Sequence, residues 1–282
     1  MKTHRPSTSD WAPLAREAAT APEIPSGRAF NPAWIDFARG IRVGNLEPHE
    51  RITQILKYDL EQRYGTRFIT DRWGRGVYWQ WICWLPRANR EAKPLSNAVN
   101  FGCAKLFITC DAEPAVFKSG LQIERGYAEG PAPYPGCRLA PDWDWHRLIA
   151  QCEGGTRLDA ELRRLIGREG FVAEAGDLDG DAVFTKGSFT SARQIREALA
   201  GCPRRQWAGF QLYYPMPVAE VRSCTGLELV KAVCAVFREV VPAMNECMQV
   251  PLRAGPASPK GMSPREGGGG RRDSRPGRRP SA

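Results

Sequence analysis

The stretch from Arg72 to Tyr127 constrains this chain more than any other, because it concentrates the residues that suit a pleated, well-packed surface. Four of the nine tryptophans (Trp73, Trp79, Trp81, Trp84) fall within its first thirteen residues, and aromatic and β-branched side chains at that density favour strands. Val77 to Leu85 reads as a central strand, Ala104 to Cys110 as a second and Val116 to Arg125 as a third, with connections short enough for an antiparallel meander. On the third strand Phe117, Ser119, Leu121, Ile123 and Arg125 point one way and Lys118, Gly120, Gln122 and Glu124 the other. On the second, Leu106 and Ile108 share a face opposite Lys105, Phe107 and Thr109. One face of the sheet is thus expected to be apolar, and the other to gather Lys105, Lys118, Gln122 and Glu124. Gly120 in mid-strand marks a bulge or a close approach to the backbone.

The flanks must cover this sheet. Asn31 as N-cap and Pro32 at the first helical position predict a helix running to Gly40, followed by a loop or short strand over Arg39 to Asn45. Pro48, Glu47 and Glu50 open a stronger helix whose face Ile52, Ile55, Leu56, Leu60 and Tyr64 ends at Gly65. After a Pro/Gly-rich loop, helices are expected around Trp145 to Ile149, capped by Asp142 or Asp144, from Leu158 to Ile166, and from Ser191 to Leu199. Phe171 to Ala175, Val183 to Thr185 and Phe210 to Tyr214 read as further strands. Thr225 and Glu228 form a T-x-x-E capping box for a last helix that Pro242 should stop. The expected fold is α+β, an antiparallel-dominated sheet covered by helices. It forms a single domain over residues 30–250, between a loose N-terminal segment (1–29, with one helical turn around Trp11 to Ala18) and a disordered Arg/Gly/Pro-rich tail (251–282).

Charge and cysteine usage narrow the function classes. The tail carries eight Lys or Arg against Glu266 and Asp273, a net +6 of the chain's +9, so residues 1–250 are only mildly basic. A polyanion, nucleic acid included, is a candidate partner, with the tail as its main electrostatic attraction. Nine cysteines, odd in number and without a C-x-x-C pair, argue against a disulfide framework and a zinc site. No apolar run approaches the roughly 18 residues of a membrane span and the first thirty lack a signal-peptide core, so a cytoplasmic location without membrane attachment is expected. No cofactor and no bound metal are expected.

Five constellations are candidates for chemistry. Lys118, Gln122, Glu124 and Arg125, with Trp79 and Trp81 on a neighbouring strand, could hold a planar or anionic ligand by charge-assisted hydrogen bonds and stacking. Arg72 and Arg75 in DRWGRG, with Arg39 and Arg42 in RGIRVGN, are further anion contacts. Asp71 with Glu91 and Lys93 has the residue types of a D…ExK metal nuclease, although the E-x-K lies in a stretch that reads as a loop. Asp144 and His146 offer a dyad, or a helix cap, and GDLDGD (Asp177, Asp179, Asp181) has the acidic alternation of a calcium loop but lacks its Gly and Glu positions, favouring a turn.

The order of GLQIERG, LRRLIGREGF and FREVVPAMNECM is similar to a family of bacterial conserved proteins of unknown function, over roughly residues 100–250. That resemblance implies an α+β fold and a bacterial cytosolic setting and carries over no catalytic residue. The leading functional expectation is a binding or accessory protein that contacts an anionic partner through the polar sheet face and the tail. A metal-dependent hydrolase or nuclease, and a protein–protein adaptor using exposed aromatics, are the alternatives.

Overall fold

The computed structural model describes residues 26–93, 100–130, 139–177 and 182–254. The first 25 residues, Asp179 and Asp181 of the acidic turn and the tail from residue 255 lie outside the described residues.

The tryptophan-rich segment and its two successors are neighbouring strands of one antiparallel sheet. β1 (Ile35–Asp36), β2 (Gly40–Arg42), β3 (Phe68–Arg75), β4 (Tyr78–Pro86), β5 (Lys105–Asp111), β6 (Val116–Gly126), β7 (Val172–Asp177), β8 (Ala182–Phe184) and β9 (Ala208–Pro217) form it. The spatial order is β1-β2-β4-β5-β6-β9-β7-β8, with β3 on the other edge of β4. Helices α1 (Ile52–Tyr64), α3 (Asp144–Gln151), α4 (Arg157–Gly167), α5 (Ala192–Ala200) and α7 (Gly226–Cys247) bury one face. The fold is α+β, as expected.

That covered face follows from alternation. Ile82 and Trp84 of β4, Leu106 and Ile108 of β5, Phe117, Leu121 and Ile123 of β6, and Phe210 and Leu212 of β9 are all buried in one cluster with the helices. α7 lies against β6 and β9 and is flanked by α1, α3 and α4. Its Thr225–Glu228 capping box is formed, as is the Ser191–Gln194 box of α5, and Gly65 ends α1 in the left-handed conformation at φ 59°.

Four expectations are corrected. The helix read from Asn31 to Gly40 is a single 3-10 turn, Pro32–Trp34, that passes into β1. Asp36 accepts from the backbone amides of Ala38 and Arg39, and that local turn competes with a helix. Residues 68–75 form β3, which was not foreseen because Asp, Gly and Arg are poor strand formers; an edge strand needs only one partner. The PRANREAKP loop contains the short helix α2 (Arg87–Glu91), and α6 (Val218–Ser223) follows β9 directly. α7 runs through Pro242 to Cys247, because Ala243, Met244 and Cys247 are fully buried beyond it and their packing offsets the lost backbone hydrogen bond.

Candidate binding site

The second face of the sheet carries Lys105, Thr109, Lys118, Gln122 and Glu124, as the period-2 reading placed them, with Trp81 paired beside Thr109. It is not a solvated surface. Lys105, Lys118, Gln122 and Glu124 are between 2% and 8% exposed, and isolated charges so placed would cost several kcal/mol each (roughly, after relaxation) unless paired. They are paired. The Trp81 indole N–H donates to Gln122 Oε1 at 2.6 Å, Gln122 Nε2 donates to Glu124 Oε1 at 2.7 Å, and Lys105 Nζ closes on Glu124 Oε2. Burial pulls the Lys105 pKa down, but the Glu124 carboxylate outweighs it, so Lys105 stays charged with its pKa above the ordinary lysine value. Two strand positions away Lys118 bridges Asp111 (2.7 Å) and Glu174 (3.1 Å), and Tyr213 donates to Glu174 Oε1 at 2.5 Å beneath the Lys118 ammonium. Burial again opposes the Lys118 charge, and the Asp111 and Glu174 contacts raise its pKa overall. Burial and the Glu174 hydrogen bond push the Tyr213 phenol up as well.

Gly120 does mark a close approach, and what approaches is the neighbouring strand. A side chain there would collide with the Leu212 carbonyl of β9. The sheet itself is in unbroken register at that position.

The other sequence-derived candidates separate from this network. Arg125 spends its guanidinium on the carbonyls of Cys202, Pro203 and Gln206, fastening the segment before β9 to the end of β6. Trp79 and Trp81, two apart in sequence, stand on opposite faces. Trp73 pairs with Trp81 but Gly74 pairs with Trp79, so Gln80 is a bulge residue and the alternation slips there. Trp79 therefore packs on the helix-side core, with Arg72 stacked 4.2 Å from its ring centre. Arg75 is exposed at the hairpin end.

Asp71, Glu91 and Lys93 do not converge. Glu91 is an exposed helix residue within 3.9 Å of Arg87, and Asp71 is held by the Arg72 amide and Asn100. Lys93 is fully buried and bonds Asp144 Oδ1 (2.9 Å), Asn89 Oδ1 (2.8 Å) and the Asn89 carbonyl (2.9 Å). Asp144 thus neither caps a helix through its side chain nor pairs with His146, which is exposed. Its carboxylate also accepts from Asn89 Nδ2 and from the amides of Ala104 and Gln249, so that α2, α3, β5 and the segment after α7 meet at one saturated polar knot. Among the described residues no group of three His, Cys, Asp or Glu side chains is placed to hold a metal ion. The eight described cysteines are all free thiols, and burial raises the pKa of six of those that line the core, Cys83 and Cys247 among them.

A cleft opens beside the Lys118 cluster. β2 and β5 share one edge of β4, β2 pairing at Tyr78 and Trp79 and β5 from Trp81 onward, so the bulged Gln80 sits at the seam between them. Its carbonyl accepts from the Thr109 hydroxyl at 2.7 Å. Gly40 makes the seam possible: at φ 110° a side chain would strike the Trp79 carbonyl. The result is a cleft of about 370 Å³ lined by Phe37, Trp73, Gln80, Trp81, Thr109 and Asp111. Trp73 is 67% exposed, against a fully buried Trp84 on the next strand. A depression of the same volume between α4 and α7 has no aromatic lining.

Next to the cleft lies a basic and aromatic row. Arg42 pairs with Tyr78 and Tyr78 with Arg75 across β2, β4 and β3, which puts the three side chains side by side. Arg39 lies 4.3 Å from the centre of the Tyr78 ring and bonds its hydroxyl, while also pairing with Asp36. Arg42 Nε is buried without a hydrogen-bond partner.

Sequence reasoning missed Trp73 and Asp111 as site residues. The signal for Trp73 was present: Gly76-Val77 is a two-residue hairpin turn, and counting back across it sets Trp73 beside Trp81 once the bulge is allowed for. Asp111 carried no comparable sign, since it falls just after the apolar run of β5. Among the described residues no helix is long and apolar enough to cross a membrane. No family model matches this chain, and no match was found among curated proteins or among solved structures.

Proposed function

We propose that this chain is a binding protein for single-stranded nucleic acid, which it takes at the seam cleft and the adjoining arginine row. The observation that carries the reading is the exposed Trp73 ring at a cleft whose neighbouring sheet row is Arg42–Tyr78–Arg75. An exposed tryptophan is a stacking platform for an unpaired base, worth about 1–3 kcal/mol per base, and arginines one row away can meet the phosphates on either side. The lysines of the sheet face play a different part from the one their sequence pattern suggested. Lys105 and Lys118 are neutralised by neighbouring carboxylates and stiffen the floor under Trp81 instead of meeting phosphate.

The Arg-rich residues 255–282 add non-specific attraction, by the charge they carry in the sequence. A bacterial cytoplasmic location goes with this reading, supported by the free thiols. The test is fluorescence anisotropy of labelled single-stranded RNA and DNA against the full chain over a salt series, with Trp73→Ala beside it. Binding should weaken with rising salt and fall about tenfold in Trp73→Ala. Absence of binding by the full chain at low salt would refute the proposal.

A further inference from the structure

Resting on that reading, the geometry points to a cleft that selects one kind of base: a guanine, whose adjacent N1–H and N2–H₂ donors meet the Asp111 carboxylate while its ring stacks on Trp73. The Trp81 N–H is taken by Gln122 at 2.6 Å. The Thr109 hydroxyl hydrogen is taken by the Gln80 carbonyl at 2.7 Å, which leaves only lone pairs on that oxygen. Lys118, the ammonium paired with the cleft-wall Asp111, is held by Asp111 Oδ2 and Glu174. What the wall offers a ligand is therefore acceptors, from Asp111 and Thr109, with the Gln80 amide able to serve either way. Asp111 is 38% exposed along its side chain, so it is reachable, and its contact with a lysine only 10% exposed fixes its position.

A carboxylate repels phosphate and accepts from N–H groups, so it is suited to a base edge. The bases differ sharply in what they bring. Guanine presents two parallel donors to a carboxylate. Adenine and cytosine present one amine beside a ring-nitrogen acceptor, and uracil or thymine presents one N–H between two carbonyls that a carboxylate would face with repulsion. The order expected is guanine first, then cytosine and adenine, then uracil or thymine. The cleft volume of about 370 Å³ accommodates a single base.

The test uses the wild-type chain and three heptamers that cannot form quadruplexes: seven uridines, the same with a central guanosine, and the same with a central inosine, which lacks the N2 amine. Quenching of tryptophan fluorescence reads binding at fixed salt. The guanosine heptamer should bind about tenfold more tightly than the uridine one, with inosine between them. Thymidine-based DNA versions separate base reading from sugar contacts, since the guanine preference should persist in both. Asp111→Asn should bring the guanosine and uridine heptamers within about twofold of each other. Equal affinities for all three heptamers in the wild type, with salt-dependent binding intact, would overturn the guanine assignment and leave the general reading standing. No quenching by any heptamer would remove both.

Discussion

Two buried lysine clusters at opposite ends of β4 show how the same chemistry serves two purposes. At the Pro86 end, Lys93, Asp144 and Asn89 are fully buried, and the Asp144 carboxylate alone accepts four donors. At the Tyr78 end, Lys118 is largely enclosed by Asp111, Glu174 and Tyr213, but Asp111 reaches the wall of a cleft and stays partly exposed. A polar cluster with every valence filled holds elements together. One that leaves an acceptor open beside an exposed ring is poised to take a ligand. Lys105, Glu124 and Gln122 lie between the two, closed like the first but supporting Trp81 of the second.

The largest effect expected from breaking this contrast is at the closed cluster. Asp144→Ala leaves a buried ammonium, the Asn89 amide and two backbone amides without their partner, and should cost about 3–5 kcal/mol in urea unfolding. It should not alter nucleic-acid affinity in whatever fraction remains folded. Glu124→Ala strands Lys105 and frees Gln122, for a loss of about 3 kcal/mol in the same measurement, and it should also shift the Trp81 fluorescence.

The paired lysines add a pH dependence of known sign. Since Lys105 and Lys118 have folded pKa values raised above 10.5, their stabilisation is fully present below that pH and is lost as pH rises through the folded values. The urea midpoint of the wild type should therefore hold up to about pH 10.5 and fall above it, and in Lys105→Met it should fall less. At the open site the effects on stability shrink and those on binding appear. Trp73→Ala should change stability by less than about 0.5 kcal/mol, as an exposed ring does, while weakening single-strand binding about tenfold. The smallest effect is expected from Arg75→Ala, a loss of a few-fold that lowers the salt slope of binding by about one phosphate contact.

Legibility in the sequence tracked local rules. The three central strands, the face on which Lys105, Lys118, Gln122 and Glu124 stand, the helix start at Ser191, the capping box at Thr225, and the Gly65 stop are all properties of short segments with strong period or cap signals. What was lost depended on distant partners. β3 is a strand only because β4 lies beside it, α7 passes Pro242 only because a deep core waits beyond it, and Lys93 meets Asp144 across 51 positions of sequence. The bulge at Gln80 had the widest consequence. A strict period of two would set Trp79 beside Trp81, whereas the slip sends one to the core and opens the seam next to the other. The candidate site was thus half visible: the floor could be read, and the cleft could not.

Photo-crosslinking tests the location of the site most directly. Full-length protein would be irradiated with a heptamer of 4-thiouridine and guanosine, and the modified peptides mapped by mass spectrometry. Adducts should fall on residues 37–42, 73–81 and 109–112, the walls of the seam and its arginine row. Adducts confined to the helix-covered side, at α4 and α7, or to residues 255–282 alone would contradict the assignment of the seam as the binding site.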